Sequence, residues 1–395
     1  MKIVLIANSI SPHQMPLAYQ LVKCLGDSNF RYISTGALTS EREKLGWNND
    51  LLPGWVLRPK AVELDRKEAE QWVRNADVAL CGNRDISLFK QRISEGKLTF
   101  YMSERWFKPS WGIFRLLEPS YFRMAFKICC LQKSPYFYYL PIGIFAAKDM
   151  RKLASLFITH PLSFNLPMWG YFVDPSSNYK PYNRTSEGKV NVLWFGRLLK
   201  WKRVDTLIKA VANLDKEIKV KVRLKIIGLG LEEERLKRLV RKKRIDNIVK
   251  FSEPVPIKQI REEIKKADIC AVTSNSHEGW GVAVNEIMLE GRCCLCSDVA
   301  GAGATIVRNG ENGLLFKSGN VSDLAVNLNL VIEDEALRIR LANEGRRSIL
   351  KNWSPHVAAE RLLKFCTAQL NGNDFPHYDL GVLSELNVKK KEFKQ

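Results

Sequence analysis

Ala267-Asp268-Ile269-Cys270-Ala271-Val272-Thr273-Ser274 is a short apolar run ending in small polar residues, and Cys293-Cys294-Leu295-Cys296-Ser297 is a second one. Between them lies His277-Glu278-Gly279-Trp280-Gly281-Val282-Ala283-Val284-Asn285-Glu286. The two runs read as buried parallel strands, because a strand covered on both faces needs no polar alternation. The intervening segment predicts a Gly-rich turn and then a helix from about Val282 to Leu289. Strand, turn, helix, strand is a βαβ unit, and its ligand site lies beyond the carboxyl end of the first strand.

This unit carries two carboxylates with seven residues between them, Glu278 in the turn and Glu286 on the helix. The first amides of the helix would face a phosphate. Glu278 and Glu286 would each accept hydrogen bonds from hydroxyls at opposite ends of one molecule whose diphosphate sits between them. A nucleotide-sugar has that chemistry. Two glutamates at this spacing also arise by accident on charged surfaces, so the flanking strands give the pair its weight.

Working outward, alternation of strand and helix continues in both directions. After Glu278 the chain has the Ala300-Gly301-Ala302-Gly303 turn, and before it come Val190–Phe195, a helix from about Val204 to Leu214, Val222–Ile227, a helix over Glu232–Lys243, Ile248–Phe251 and a helix near Ile257–Lys266. Residues 1–173 alternate likewise: Lys2–Ala7, a helix from about Met15 to Leu25, strands at Asp77–Cys81 and Leu98–Met102, and a helical stretch near Ile142–Leu153. The fold class expected is α/β, with two doubly wound Rossmann-like domains.

Between the halves, residues 174–188 are polar, aperiodic and rich in turn formers, and they read as the linker. The second domain then spans 189–350. Ser354-Pro355 is an N-cap followed by Pro at the first helical position, which opens a last helix within 351–370. Residues 371–395 read as a basic, mobile tail.

Bulk composition narrows the function classes. At 395 residues and 46% hydrophobic content the chain can bury two or three cores. No apolar stretch approaches the roughly 20 residues that span a bilayer, and a strand-like segment opens the chain, so no signal peptide is expected. The nine cysteines include adjacent pairs but no paired CxxC elements, and the five histidines are scattered. Reduced thiols in a cytoplasmic protein and no metal site are the expectation. The net charge of +20 signals attraction to polyanions without saying which.

Further motifs fall after strands of the second half. Gly196-Arg197-Leu198-Leu199-Lys200-Trp201-Lys202-Arg203 places Arg197 and Lys202 where a diphosphate leaving group needs cations. Gly228-Leu229-Gly230 would let backbone approach a ligand closely. It lacks the third glycine of the dinucleotide fingerprint, where Glu233 stands, so hydride transfer is disfavoured.

In this order, Arg197 with Lys202, Gly228-Leu229-Gly230, Glu278 to Glu286 and Gly313-Leu314-Leu315 resemble the donor domain of the retaining family 4 glycosyltransferases of the GT-B architecture. The resemblance covers roughly residues 188–370. It implies two domains facing a cleft, a nucleotide-sugar donor, and no cofactor or metal. Arg197 and Lys202 would meet the diphosphate, Glu286 the ribose and Glu278 the sugar, with His277, Gly279, Trp280 and Gly281 beside them. Ser252 and Glu253 would hold the base, and the last helix would cross back to the first domain.

The family's Gly-Gly turn after the first strand is replaced here by Ser9-Ile10-Ser11-Pro12-His13-Gln14, and its late Pro-Glu by Ala304-Thr305. His13 and Glu104 are the acceptor-side candidates. The acceptor expected is a saccharide or lipid-linked saccharide of bacterial surface polysaccharide or lipopolysaccharide assembly.

From Tyr101 to Lys152 aromatics interleave with cations, among them Trp106, Trp111, Phe114, Arg115, Phe122, Arg123, Phe126, Lys127 and Tyr136-Phe137-Tyr138-Tyr139. Such a run suits peripheral contact with an anionic membrane at its cytoplasmic face, or else a core whose helices carry solvated cations. Rival readings are a sugar-nucleotide epimerase or a phosphorylase of the same architecture, and a basic nucleic-acid-binding protein. The last lacks any recognised motif and would set two glutamates against phosphates, so no nucleic-acid partner is expected.

Overall fold

A computed structural model of the chain describes residues 1–37, 52–82, 87–109, 111–157, 166–175, 179, 181–182 and 188–385. The described residues divide into two compact units, one built from residues up to 172 together with 355–385, the other from 173–354.

The first unit is a six-stranded parallel sheet of β1 (Ile3–Ala7), β2 (Phe30–Ser34), β3 (Val56–Leu57), β4 (Val78–Cys81), β5 (Leu98–Ser103) and β6 (Phe137–Pro141) in the order β3-β2-β1-β4-β5-β6. The second repeats the plan with β7 (Val190–Phe195), β8 (Val222–Ile227), β9 (Val249–Ser252), β10 (Ile269–Val272), β11 (Cys293–Ser297) and β12 (Leu314–Phe316), ordered β12-β11-β10-β7-β8-β9. Strands such as β1, β10 and β11 are buried at every position, as helices on both sheet faces require. In each sheet the winding reverses at one strand pair, β1 with β4 and β7 with β10. Loops leaving such a pair diverge and open a crevice beyond the carboxyl ends.

Several local expectations change. Residues 371–385 do not behave as a mobile tail: Val382, Leu383 and Ser384 are buried, and Leu383 N–H donates to the Met168 carbonyl at 2.7 Å. Residues 386–395 lie outside the described residues, as does most of the 174–188 linker. Tyr182 of that linker is deeply anchored, its hydroxyl donating to Asp268 Oδ1 at 2.5 Å and accepting from Arg338 Nε at 3.1 Å. The helix Pro355–Leu370 packs in the first unit, where Phe365 meets Tyr138 at 4.9 Å and Gln369 Oε1 accepts from the Tyr138 hydroxyl at 2.7 Å.

The aromatic and basic run splits in two. Phe137 and Tyr139 belong to β6 and are buried, as are Trp106, Phe107 and Tyr121. Trp111, Phe114 and Leu117 stand out at 69%, 67% and 79% exposure, with Phe122 and Phe126 beside them. All nine cysteines are free thiols, seven buried, with Cys24 and Cys130 exposed instead of in the core. Among the described residues no helix is long and apolar enough to cross a membrane.

Candidate functional site

The reversal between β7 and β10 brings together residues far apart in sequence. After β7 the chain turns through Gly196 and a short 3-10 segment, Lys200–Lys202, and Arg203 adopts a left-handed conformation at φ 53° before the helix Val204–Ala212. After β10, Thr273 and Ser274 lead into the turn that carries Glu278. The two loops are bonded to each other: Asn275 N–H donates to the Trp201 carbonyl at 2.8 Å, and Thr273 Oγ1 donates to the Lys202 carbonyl at 2.7 Å. Trp194 Nε1, at the end of β7, donates to the same hydroxyl at 3.1 Å.

At this junction the Lys202 ammonium forms a close charge-assisted hydrogen bond to Glu278 Oε2. Ser274 Oγ donates to the same oxygen at 2.8 Å, and Lys202 Nζ lies 4.4 Å from the centre of the Trp201 ring. Glu278 is nearly buried, so its carboxylate is fixed in direction before any ligand arrives. Arg197 sits exposed on the same β7 loop.

Glu286 is buried on the helix Ala283–Leu289 and reaches a different environment. Burial pushes its carboxyl up to about 7; the charge of Arg261 pulls the other way, and that of Glu290 adds to the rise. Glu290, one turn on, has both carboxylate oxygens buried without a hydrogen-bond partner among the described residues, and Arg261 Nε stands 3.8 Å away. Burial raises the Glu290 carboxyl as well.

Residues 176–348 match the glycosyl transferases group 1 family. Over 174 residues the chain is 29% identical to an uncharacterised glycosyltransferase of Methanocaldococcus jannaschii, covering 43% of this chain and 44% of that one. It is 27% identical over 178 residues to the lipopolysaccharide core biosynthesis glycosyltransferase LpsE of Rhizobium meliloti, covering 45% of this chain and 50% of that one. The chain thus spans half or less of the curated relatives it matches. Among solved structures, HepE of Anabaena in complex with UDP superposes with a TM-score of 0.68 at 16% identity, covering 93% of this chain and all of that one. That likeness shows a shared GT-B glycosyltransferase fold.

Within the matched segment several glycines serve packing. A Cβ on Gly228 would lie 1.9 Å from the Gly196 carbonyl oxygen, and one on Gly230 2.5 Å from that of Leu198, so the close approach expected of Gly228-Leu229-Gly230 is to the β7 loop. Gly301 and Gly303 do not form a flexible turn: they open the helix Gly301–Ile306, and a Cβ on Gly301 would lie 2.0 Å from the Gly279 carbonyl oxygen. Trp280 is a core residue, its Nε1 donating to Asn285 Oδ1 at 2.9 Å and its ring 6.0 Å from that of Trp353. Gly281, at φ 86°, turns the chain beside the Glu278 side chain.

His277 is half-buried, its backbone N–H donating to Asn275 Oδ1 at 3.0 Å. Ser252 is the last residue of β9, its carbonyl accepting from Gly228 N–H at 3.1 Å, and Glu253 follows it, exposed, at the start of the next loop. Sequence reasoning missed Ser274, Arg261 and Glu290. Ser274 lay in plain view as the polar end of the β10 run, whereas Arg261 reaches Glu290 from another helix and leaves no local signal.

In the first unit, Glu104 lines a cavity of about 450 Å³ at the β1/β4 reversal. From the loop after β1 it is Asn8 and Gln14, not His13, that line this cavity, and the His13 carbonyl accepts from Phe172 N–H at 3.0 Å.

Proposed function

We propose that the chain is a retaining glycosyltransferase that moves a sugar from a nucleoside-diphosphate sugar to a saccharide or lipid-linked saccharide acceptor, in the assembly of bacterial surface polysaccharide or lipopolysaccharide. The observation that carries this reading is the Lys202–Glu278 pair at the sheet reversal of the donor-type unit. A cation and a pre-aimed carboxylate side by side suit a substrate that presents phosphate and sugar hydroxyls together. The match to LpsE, a lipopolysaccharide core enzyme by name, supports the acceptor class, and the UDP held by HepE supports a nucleotide-sugar donor.

In the proposed reaction negative charge grows on the departing diphosphate. Lys202 and Arg197 stabilise it, and Lys202 exchanges its bond to Glu278 for one to a phosphoryl oxygen. Ser274 keeps Glu278 oriented toward the sugar while Glu286 accepts from the ribose hydroxyls. Because side-chain cations neutralise the leaving group, no metal is needed: turnover is expected to survive exhaustive EDTA treatment, and its loss with recovery on adding Mg²⁺ or Mn²⁺ would refute the metal-free assignment.

A thermal-shift screen against UDP, GDP, ADP and their sugars identifies the donor. With that donor, Lys202→Ala is expected to lower turnover by about two powers of ten, since one lost transition-state donor costs roughly 3 kcal/mol. Near-normal turnover in the variant removes the assignment. Peripheral contact with an anionic membrane belongs to the same reading, carried by the exposed Trp111, Phe114 and Leu117 next to Arg123 and Lys127.

A further inference from the structure

The cavity at the β1/β4 reversal of the first unit is polar and basic. Asn8 and Gln14 enter from the loop after β1, Gly82 from the end of β4, Ser103 from the end of β5, and Glu104, Arg105, Trp106 and Lys108 from the segment after it. Its charged lining comprises Arg105, Lys108 and Arg115 against the single carboxylate of Glu104.

These cations are held differently. Arg105 is anchored: its Nε lies 3.6 Å from Asp149 Oδ2, and its guanidinium stacks 4.9 Å from the centre of the Phe145 ring. Asp149 Oδ2 also accepts from Phe107 N–H at 2.9 Å, which fixes the segment that carries the cavity's cations. Lys108 Nζ stands 3.8 Å from Glu104 Oε2, beyond hydrogen-bond distance. Arg115 stands over the Tyr121 ring, its Cζ 4.3 Å from the centroid, and takes part in none of the ion pairs among the described residues. The floor is rigid, since Tyr121 donates to the Trp106 carbonyl at 2.6 Å and Trp106 Nε1 donates to the Tyr139 hydroxyl at 2.9 Å. A fixed polar cavity lined by three cations and a single carboxylate carries an excess of positive charge and is complementary to an anion.

We infer that this cavity seats a phosphoryl group, with Lys108 and Arg115 as its direct partners and Arg105 as the anchored third cation, and that the acceptor is therefore phosphorylated. The acceptor role rests on the proposed glycosyltransferase reading; the phosphoryl site does not. About 450 Å³ accommodates a sugar phosphate or the head of a lipid-linked one. The turn that contributes Arg115 also carries the exposed Trp111, Phe114 and Leu117, so an acyl or prenyl chain leaving the cavity would meet apolar surface at once.

Calorimetric titration of the full chain with inorganic pyrophosphate tests this, run with Lys202→Ala in the background to suppress binding in the second unit. The expected result is an event that Lys108→Gln with Arg115→Gln weakens about tenfold or more, since each charge-assisted hydrogen bond contributes that much. The unfolding midpoint should stay unchanged. Lys108→Glu replaces the pair if the double variant fails to fold, and should abolish the event.

Vesicles of phosphatidylglycerol in phosphatidylcholine, added to the same titration, separate the two sources of phosphate. Competition assigns a bilayer headgroup, and indifference assigns a phosphorylated saccharide. No event in the parent protein, or equal affinity in parent and variants, overturns the inference. Failure of every nucleotide-sugar to bind Lys202-containing protein bears on the second unit alone and leaves this result standing.

Discussion

Glu286 shows how one residue can be placed against its own stability. Its carboxyl titrates near 7 instead of at 4.5 because burial disfavours the charged form, Arg261 offsets only part of that, and Glu290 adds like charge. Between those two values the folded state binds the proton that the unfolded state has released, so stability falls as pH rises through the window. The shift corresponds to roughly 3 kcal/mol. Glu286→Gln is therefore expected to raise the unfolding free energy at pH 8 by up to about that amount and to change it little at pH 4. Urea titrations at the two pH values check this, and equal effects would show that titration is not the cause. Under the proposed role, the same residue must be ionised to accept two ribose hydroxyls. Donor affinity is then expected to drop as pH falls from 8 to 6, and Glu286→Gln should be weak and flat with pH. A pH dependence that survives in the variant would place the titrating group elsewhere.

At the scale of elements, the loops after β7 and β8 are packed so closely that two glycines become obligatory. Gly228 combines φ 144° with a Cβ position 1.9 Å from a neighbouring carbonyl oxygen, whereas Gly310 has φ 78° and open space around it. Alanine at 310 meets only the backbone cost of about 1–2 kcal/mol. Alanine at 228 must also move the β7 loop, so Gly228→Ala is expected to cost more than about 3 kcal/mol in denaturant unfolding and to displace Lys202. Equal costs at the two positions would mean that the loops are not locked together.

The same elements mark what the sequence made legible. Continuous apolar runs announced β1, β10 and β11 to within a residue or two, because strands buried at every position leave little room for polar side chains. Strands β7 and β8 were legible although Asn191, Arg223 and Lys225 interrupt their apolar pattern. Strand β6 was hidden, since Tyr136-Phe137-Tyr138-Tyr139 sits among cations and reads equally as a membrane-facing patch. Strands β3 and β12 are two and three residues long and carry too little pattern to register. Glu278 and Lys202 were each visible as motif residues. That they touch was not, because it depends on β10 returning to lie beside β7, an order set by long-range packing.

For the molecule as a whole, a net charge of +20 creates long-range attraction to any polyanion but supplies no grip. Grip requires apolar groups at the contact, and the first unit exposes them: Trp111, Phe114 and Leu117 on one turn, Phe122 and Phe126 on the helix Pro119–Leu131, with Arg123 and Lys127 on the same exposed face. The inward face of that helix, with Tyr121, Ala125 and Ile128, is buried, so the outward aromatics are not borrowed from the core. An interfacial helix pairs rings at headgroup depth with cations on lipid phosphates in this way. Flotation with phosphatidylglycerol vesicles is expected to carry the protein at low salt and to lose most of it near 1 M, where the screening length shrinks to about 3 Å. Trp111→Ser with Phe114→Ser should lower the bound fraction about tenfold or more, because inserting each ring gains roughly 1.5–3 kcal/mol. The melting temperature should not move, both side chains being exposed. Charge alone predicts another pattern, in which the aromatic double variant floats as well as the parent and DNA-cellulose retains both at physiological salt. That result would leave the basic surface as a general polyanion binder and remove the membrane from the proposed function.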